Sequence, residues 1–226
     1  MTNIAKFFVV IFLSAAIPVW ASPAKDQSGN SFPYDTSKLP NSIDWEVFKN
    51  GPSLEVKFYE VKSGDTLGKI AKKFRTTSAL IKKLNDLSGE NIHLRQKLKV
   101  WNAPFTILVL KSRNLLVLKT DKRILKVYIV ATGKMDTATP SGTYTIKLKL
   151  VDPIWYHNGK AYQPGDPENG LGTRWMGFNL DSYGIHGTIH PDQIGQSVSS
   201  GCVRMHNEDA EELFDLIPEG TKVIIN

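Results

Sequence analysis

Residues 183–207 read "YGIHGTIHPDQIGQSVSSGCVRMHN". They hold Cys202, the single cysteine of the 226-residue chain, and three of its five histidines, His186, His190 and His206. Glycine and proline interrupt the stretch too often for a helix. "YGIH" reads as a strand end, and Gly201 lets backbone come close to whatever the thiol meets. A thiol acts as a nucleophile when a base takes its proton. A third group must hold that base in one tautomer, and donors must await the oxyanion. Cys202 is the thiol, and His186, His190 and His206 are the candidate bases; the residues alone leave that choice open. The Gly187 carbonyl is a candidate to orient His186, and the N–H groups of Gly201 and Cys202 are the expected oxyanion donors. Arg204 shares a face with Cys202 if the segment is extended. Its charge favours a thiolate and can hold a substrate carboxylate. An ion pair of His186 with Cys202 predicts that alkylation of the thiol persists below the ~8.5 of a free cysteine. Zinc sites usually pair their ligands at short spacing. A lone cysteine, with no helix to align His186 and His190, predicts no metal, and nothing points to another cofactor.

The chain opens "MTNIAKFFVVIFLSAAIPVWAS". A positive start, an apolar run and small residues near Ala21 predict a secretory signal peptide over residues 1–21. The run from Phe7 to Trp20 is shorter than the ~20 apolar residues of a spanning helix, so no integral span is expected after cleavage. No cysteine follows the cut, which excludes a lipid anchor. In an exported, oxidising setting an odd cysteine is either paired with another molecule or a free reactive thiol, since no internal disulfide can form. Residues 22–56 contain Pro23, Pro33, Pro40 and Pro52 and read as a leader or linker, with a short element near Trp45–Phe48.

Hydrophobic content of 41% and charged content of 22% are those of a globular protein. The net charge of +6 is uneven: residues 57–101 hold 11 Lys+Arg and 4 Asp+Glu, a net of +7. A segment so charged suits an anionic polymer or surface. Its lysines are scattered with few aromatics between them, which argues against nucleic acid. Over residues 57–102 the expected order is strand, helix, helix, strand. Leu67, Ile70, Ala71 and Phe74 form one helical stripe after an Asp65 or Thr66 cap, and Leu80, Ile81 and Leu84 form another after Thr77 or Ser78. From residue 103 to 226 short β-rich runs broken by turns dominate. The long loop over 152–173, with Trp155, Tyr156 and Tyr162, is of the kind that forms lids or binding loops. Asn207 is the expected cap of a late helix with Ala210, Leu213, Phe214 and Ile217 inward, and "TKVII" is a last strand.

"YGIHGT" followed by "IGQSVSSGCVRMHN" resembles the L,D-transpeptidase (YkuD-like) catalytic domain, with His186 preceding Cys202 by 16 positions. "ATGKMDTATPSGTYTI" and the terminal "EGTKVIIN" extend the likeness over roughly Pro104 to Asn226. "YEVKSGDTLGKIAKKF", Asn85 and "QKLKVW" make residues 59–101 resemble a LysM module, with Arg95 where a Gly is usual. The resemblance implies a mainly β chain: a β-sandwich-like catalytic domain preceded by a small βααβ module. It implies Cys202 as nucleophile, His186 as general base, Gly187 and Gly201 as backbone contributors, and Arg204, Ser199 and Ser200 as substrate contacts. It implies an enzyme of the bacterial periplasm or cell wall that acts on peptidoglycan stem peptides while LysM binds the glycan strands. Attack after the third stem residue releases D-Ala, and a second stem's amine then gives a 3→3 crosslink; water as acceptor gives an L,D-carboxypeptidase. Ser200 stands where many members carry His, which motivates a rival reading as a non-catalytic peptidoglycan-binding protein.

Overall fold

Alternating and helical patterns lead to the expected elements in the computed structural model, which describes residues 40–50 and 55–226. The expected signal peptide lies outside the described residues, and all described residues belong to the unit Lys38–Asn226. The first elements are α1 (Trp45–Asn50), β1 (Val56–Glu60), α2 (Leu67–Phe74), α3 (Ser78–Leu84) and β2 (Lys97–Trp101). β1 and β2 pair antiparallel, from Val56 opposite Trp101 to Glu60 opposite Lys97. Thr66 caps α2 by accepting from the Lys69 N–H, and Thr77 caps α3 through the Leu80 N–H. Asp65 instead ties the β1–α2 turn, accepting from the Lys62 N–H and the Tyr59 hydroxyl at 2.8 Å each. Those two bonds hold its carboxyl below the usual range. Leu67, Ile70, Ile81, Leu98 and Val100 bury a small core between the helices and the hairpin. Asn85 closes the module, bonding the Lys99 N–H and the Ile81 and Lys99 carbonyls at 2.8 Å.

The rest of the chain is mainly β. Its elements are β3 (Thr106–Leu110), β4 (Leu115–Lys119), β5 (Ile124–Ile129), β6 (Thr132–Gly133), β7 (Gly142–Val151), β8 (Trp155–His157), β9 (Lys160–Tyr162), β10 (Arg174–Phe178), β11 (Gly184–His186), β12 (Ser197–Ser199), β13 (Val203–Arg204), α4 (Asn207–Leu216) and β14 (Lys222–Ile225). Eight strands form one sheet in the order β13-β11-β10-β7-β14-β3-β4-β5. β14 runs parallel to β3 and β11 parallel to β13, while the other neighbours are antiparallel. Just past β5, Ala131 bridges to Arg204 of β13, so the sheet curls until its two ends meet. Ala210, Leu213 and Leu216 of α4 pack with Met176, Ile185 and Val203 in the core. Each such aliphatic side chain contributes roughly 1.5–3 kcal/mol by leaving water. Phe214, expected inward, is half-buried, and Leu216 is buried in the core.

Beside that small core, other residues of the first part join the main core of the second. Leu80 and Leu84 of α3 belong to the same cluster as Leu213 and Leu216 of α4. The Thr77 hydroxyl donates to the Asp215 carbonyl across that seam. Phe48 of α1 sits 4.5 Å from the Trp101 ring, which stacks 5.7 Å from Phe105.

Candidate active site

The curl brings the ends of β11 and β13 side by side, with His186 opposite Arg204 in parallel register. Cys202 sits in the bend between β12 and β13, half-exposed. Cys202, His186, Arg204 and Ser200 line one cleft of about 560 Å³. Only a glycine fits the turn of this bend. Gly201 has φ +115, and a Cβ there would stand 2.7 Å from the Tyr183 ring. Ser199 organises the bend from beneath, its hydroxyl donating to the Cys202 carbonyl at 2.6 Å and accepting from the Gly201 N–H at 3.1 Å.

Two expectations are corrected there. Ser199 is only 1% exposed and both its bonds stay inside the bend, so it is not a substrate contact. The Gly201 N–H is held by Ser199 rather than presented to an oxyanion. Among the described residues the Cys202 N–H makes no hydrogen bond.

His186 is 4% exposed, with its ring stacked 5.7 Å from Trp175. Its Nδ1 lies 2.7 Å from the Gly187 carbonyl. A carbonyl only accepts, so Nδ1 carries the proton and Nε2 keeps the lone pair. Burial drives the imidazole pKa down to about 4; the Gly187 and Leu171 carbonyls pull upward and Arg204 pushes further down. Burial pushes the Cys202 thiol up, against a Gly184 backbone contact and the Arg204 charge. The thiol donates to the Ser182 carbonyl at 3.4 Å and makes no hydrogen bond to His186. Loss of water around the two groups thus favours a neutral thiol and a neutral imidazole over the expected ion pair; the Arg204 charge adds to that at His186 and works against it at Cys202.

Arg204 lines the cleft, with Nη1 donating to Gln193 Oε1 at 3.0 Å and Nε buried without a partner. His190 is exposed on the cleft rim, whereas His206 precedes α4 and is not part of the lining. The 152–173 segment folds into the β8–β9 hairpin and a return leg. Trp155, Tyr156, Glu168 and Leu171 from it line the cleft. Asn169, 3% exposed, braces the segment by donating to the Pro153, Gln163 and Tyr162 carbonyls. Trp175 and the Ser182 carbonyl went unnoticed in the sequence. Ser182 has φ +68, a backbone state that no sequence signal at a serine announces.

Residues 104–225 match the model of the L,D-transpeptidase catalytic domain, YkuD, and residues 59–101 match that of the LysM domain. The chain is similar to the L,D-transpeptidase-named YkuD of Bacillus subtilis, 36% identical over 174 residues that cover 74% of this chain and 98% of the relative. It is also similar to YqjB of Bacillus subtilis, 42% identical over 124 residues, 53% of this chain and 69% of the relative. Among solved structures, L,D-transpeptidase 3 from Mycobacterium tuberculosis superposes with a TM-score of 0.48 at 17% identity, over 58% of this chain and 64% of that one. On the match over its catalytic segment and along nearly the whole of YkuD, the chain belongs to the L,D-transpeptidase family, with a LysM domain ahead of the catalytic domain.

Proposed function

We propose that the protein is an exported peptidoglycan L,D-transpeptidase that forms 3→3 crosslinks through an acyl-enzyme on Cys202. The observation that supports it most is the meeting of Cys202 and His186 in one cleft, with the imidazole oriented by the Gly187 carbonyl. A donor stem tetrapeptide lies in the cleft with its terminal carboxylate toward the guanidinium of Arg204, which lines the cleft. Substrate displaces the thiol from the Ser182 carbonyl. Nε2 of His186 takes the thiol proton as sulfur attacks the carbonyl after the third residue. The Cys202 N–H stabilises the oxyanion. Collapse expels D-Ala, whose amine takes the proton from the imidazolium, and leaves a thioester. An acceptor amine then attacks, passes its proton to His186, and the thiolate departs and is reprotonated. Ser200, exposed on the cleft, is a contact for the stem peptide.

LysM holds the enzyme on the glycan, through the Gly64–Leu67 turn and the loop after α3. Its excess positive charge suits the anionic groups of wall polymers. Tethering raises the effective concentration of stems at the cleft. The site of action is the periplasm or cell wall, and among the described residues no helix is long and apolar enough to cross a membrane.

The test is incubation with disaccharide-tetrapeptide followed by mass spectrometry. The expected products are 3→3 dimers and free D-Ala. Tripeptide without dimer marks an L,D-carboxypeptidase instead, and unchanged substrate beside wall binding marks a non-catalytic protein. A pulldown on insoluble wall against DNA checks the partner.

A further inference from the structure

Asn207 opens α4, the place where its side chain was expected to cap the helix, yet the helix has no side-chain cap. The amide turns the other way. Its Oδ1 accepts from the Thr188 N–H at 3.0 Å and from the Thr173 N–H at 3.4 Å, while Nδ2 donates to the Thr188 carbonyl at 3.0 Å. Two N–H groups and one carbonyl fix which end of the amide faces which partner. Thr188 lies two residues after His186, and Thr173 ends the return leg of the cleft-lining segment. Both strands of chain are cut to admit the amide: a Cβ on Gly187 would stand 2.1 Å from Oδ1, and one on Gly172 2.3 Å from it. The Leu171 carbonyl, next to Gly172, also acts on His186, raising its pKa against the effect of burial.

We propose that Asn207 is a positioning residue: its amide latches the His186-Gly187-Thr188 segment to the foot of the cleft loop and thereby keeps His186 in the Nδ1–H tautomer on the Gly187 carbonyl. The inference rests on the reading above, in which His186 is the base. A helix-terminal side chain of only stabilising value would change melting temperature but not the state of a ring several bonds away. The latch acts on the orientation of the base, where a misplacement of about 1 Å costs on the order of 100-fold.

The test compares the wild type with Asn207→Ala and Asn207→Asp. Nitrogen-15 NMR of the histidines in the free protein, near neutral pH, reads the tautomer of His186. The wild type should show one Nδ1–H tautomer, and Asn207→Ala a mixture. Asn207→Asp keeps the acceptor for both N–H groups and loses the donor to Thr188, so it should fall between. In the stem-peptide assay, kcat per titratable thiol should fall roughly 10–100-fold in Asn207→Ala with KM little changed, and Asn207→Asp should recover part of it. An unchanged tautomer in Asn207→Ala overturns the latch whatever the activity. Wild-type kcat per titrated thiol in Asn207→Ala overturns it too. A wild-type protein that fails to turn over stems counts against the proposed function, and the tautomer still decides the latch.

Discussion

At Cys202 and His186, burial outweighs the pairing that a thiol and an imidazole would otherwise favour. The Cys202 thiol is held above its ordinary value and His186 is drawn to about 4. Alkylation of the free protein should therefore follow a midpoint above the ~8.5 of a free cysteine. An iodoacetamide rate profile with a midpoint below that value would restore the ion pair. The same burial has a consequence for stability. His186 binds its proton near 6.5 when unfolded and only near about 4 when folded, so the unfolded chain holds more protons between those values. Stability is full above 6.5 and is lost as pH falls toward about 4, by roughly 3 kcal/mol. Urea titrations of His186→Ala should show that part of the slope removed. The residues of this site were legible because reactive chemistry needs rare side chains at fixed spacing. The roles of Ser199, Gly201 and Asn207 were not, because each depends on which hydrogen bond a common polar group finds first.

Helices and strands followed their patterns closely: the Thr66 and Thr77 caps, the α2 stripe and the three runs of β3, β4 and β5 all form where periodicity and turn residues put them. Arg95 is the departure from the LysM pattern, and it adopts φ +64. A side chain in that region costs about 1 kcal/mol or more, so Arg95→Gly should raise the melting temperature of the protein. A fall would mean that the arginine makes a compensating contact. Lys149 of β7 shows an element finished by a distant partner. Its ammonium donates to the Phe214 and Ile217 carbonyls at 2.6 Å each and lies 4.1 Å from the Phe214 ring, capping the C-terminal end of α4. Lys149→Met, which keeps the stem and removes the donors, should cost about 1–3 kcal/mol in chemical denaturation. No sequence pattern near α4 announces that cap, since the lysine lies 65 residues from Phe214.

The two modules were expected as separate units along the chain, and their packing was invisible in the sequence. Leu80 and Leu84 already had a place in the α3 stripe, so nothing in the pattern reserved them for Leu213 and Leu216. Because Leu80 and Leu84 join the main core, LysM and the catalytic sheet should unfold together. Calorimetry should give one transition for both, and Leu84→Ala should lower it as a whole by about 2–5 kcal/mol. Two resolved transitions would show that the seam contributes little. α4 links the two regions, packing on α3 of the LysM module while Asn207 at its start bonds Thr188, two residues after His186. The proposed transpeptidase reaction requires Cys202 to form a thioester with a stem peptide. Intact-mass spectrometry of the protein quenched in acid during turnover of disaccharide-tetrapeptide tests this directly. The expected result is an adduct of substrate minus D-Ala, mapped to Cys202 and absent in Cys202→Ala; turnover with no adduct, or an adduct that survives Cys202→Ala, would contradict it.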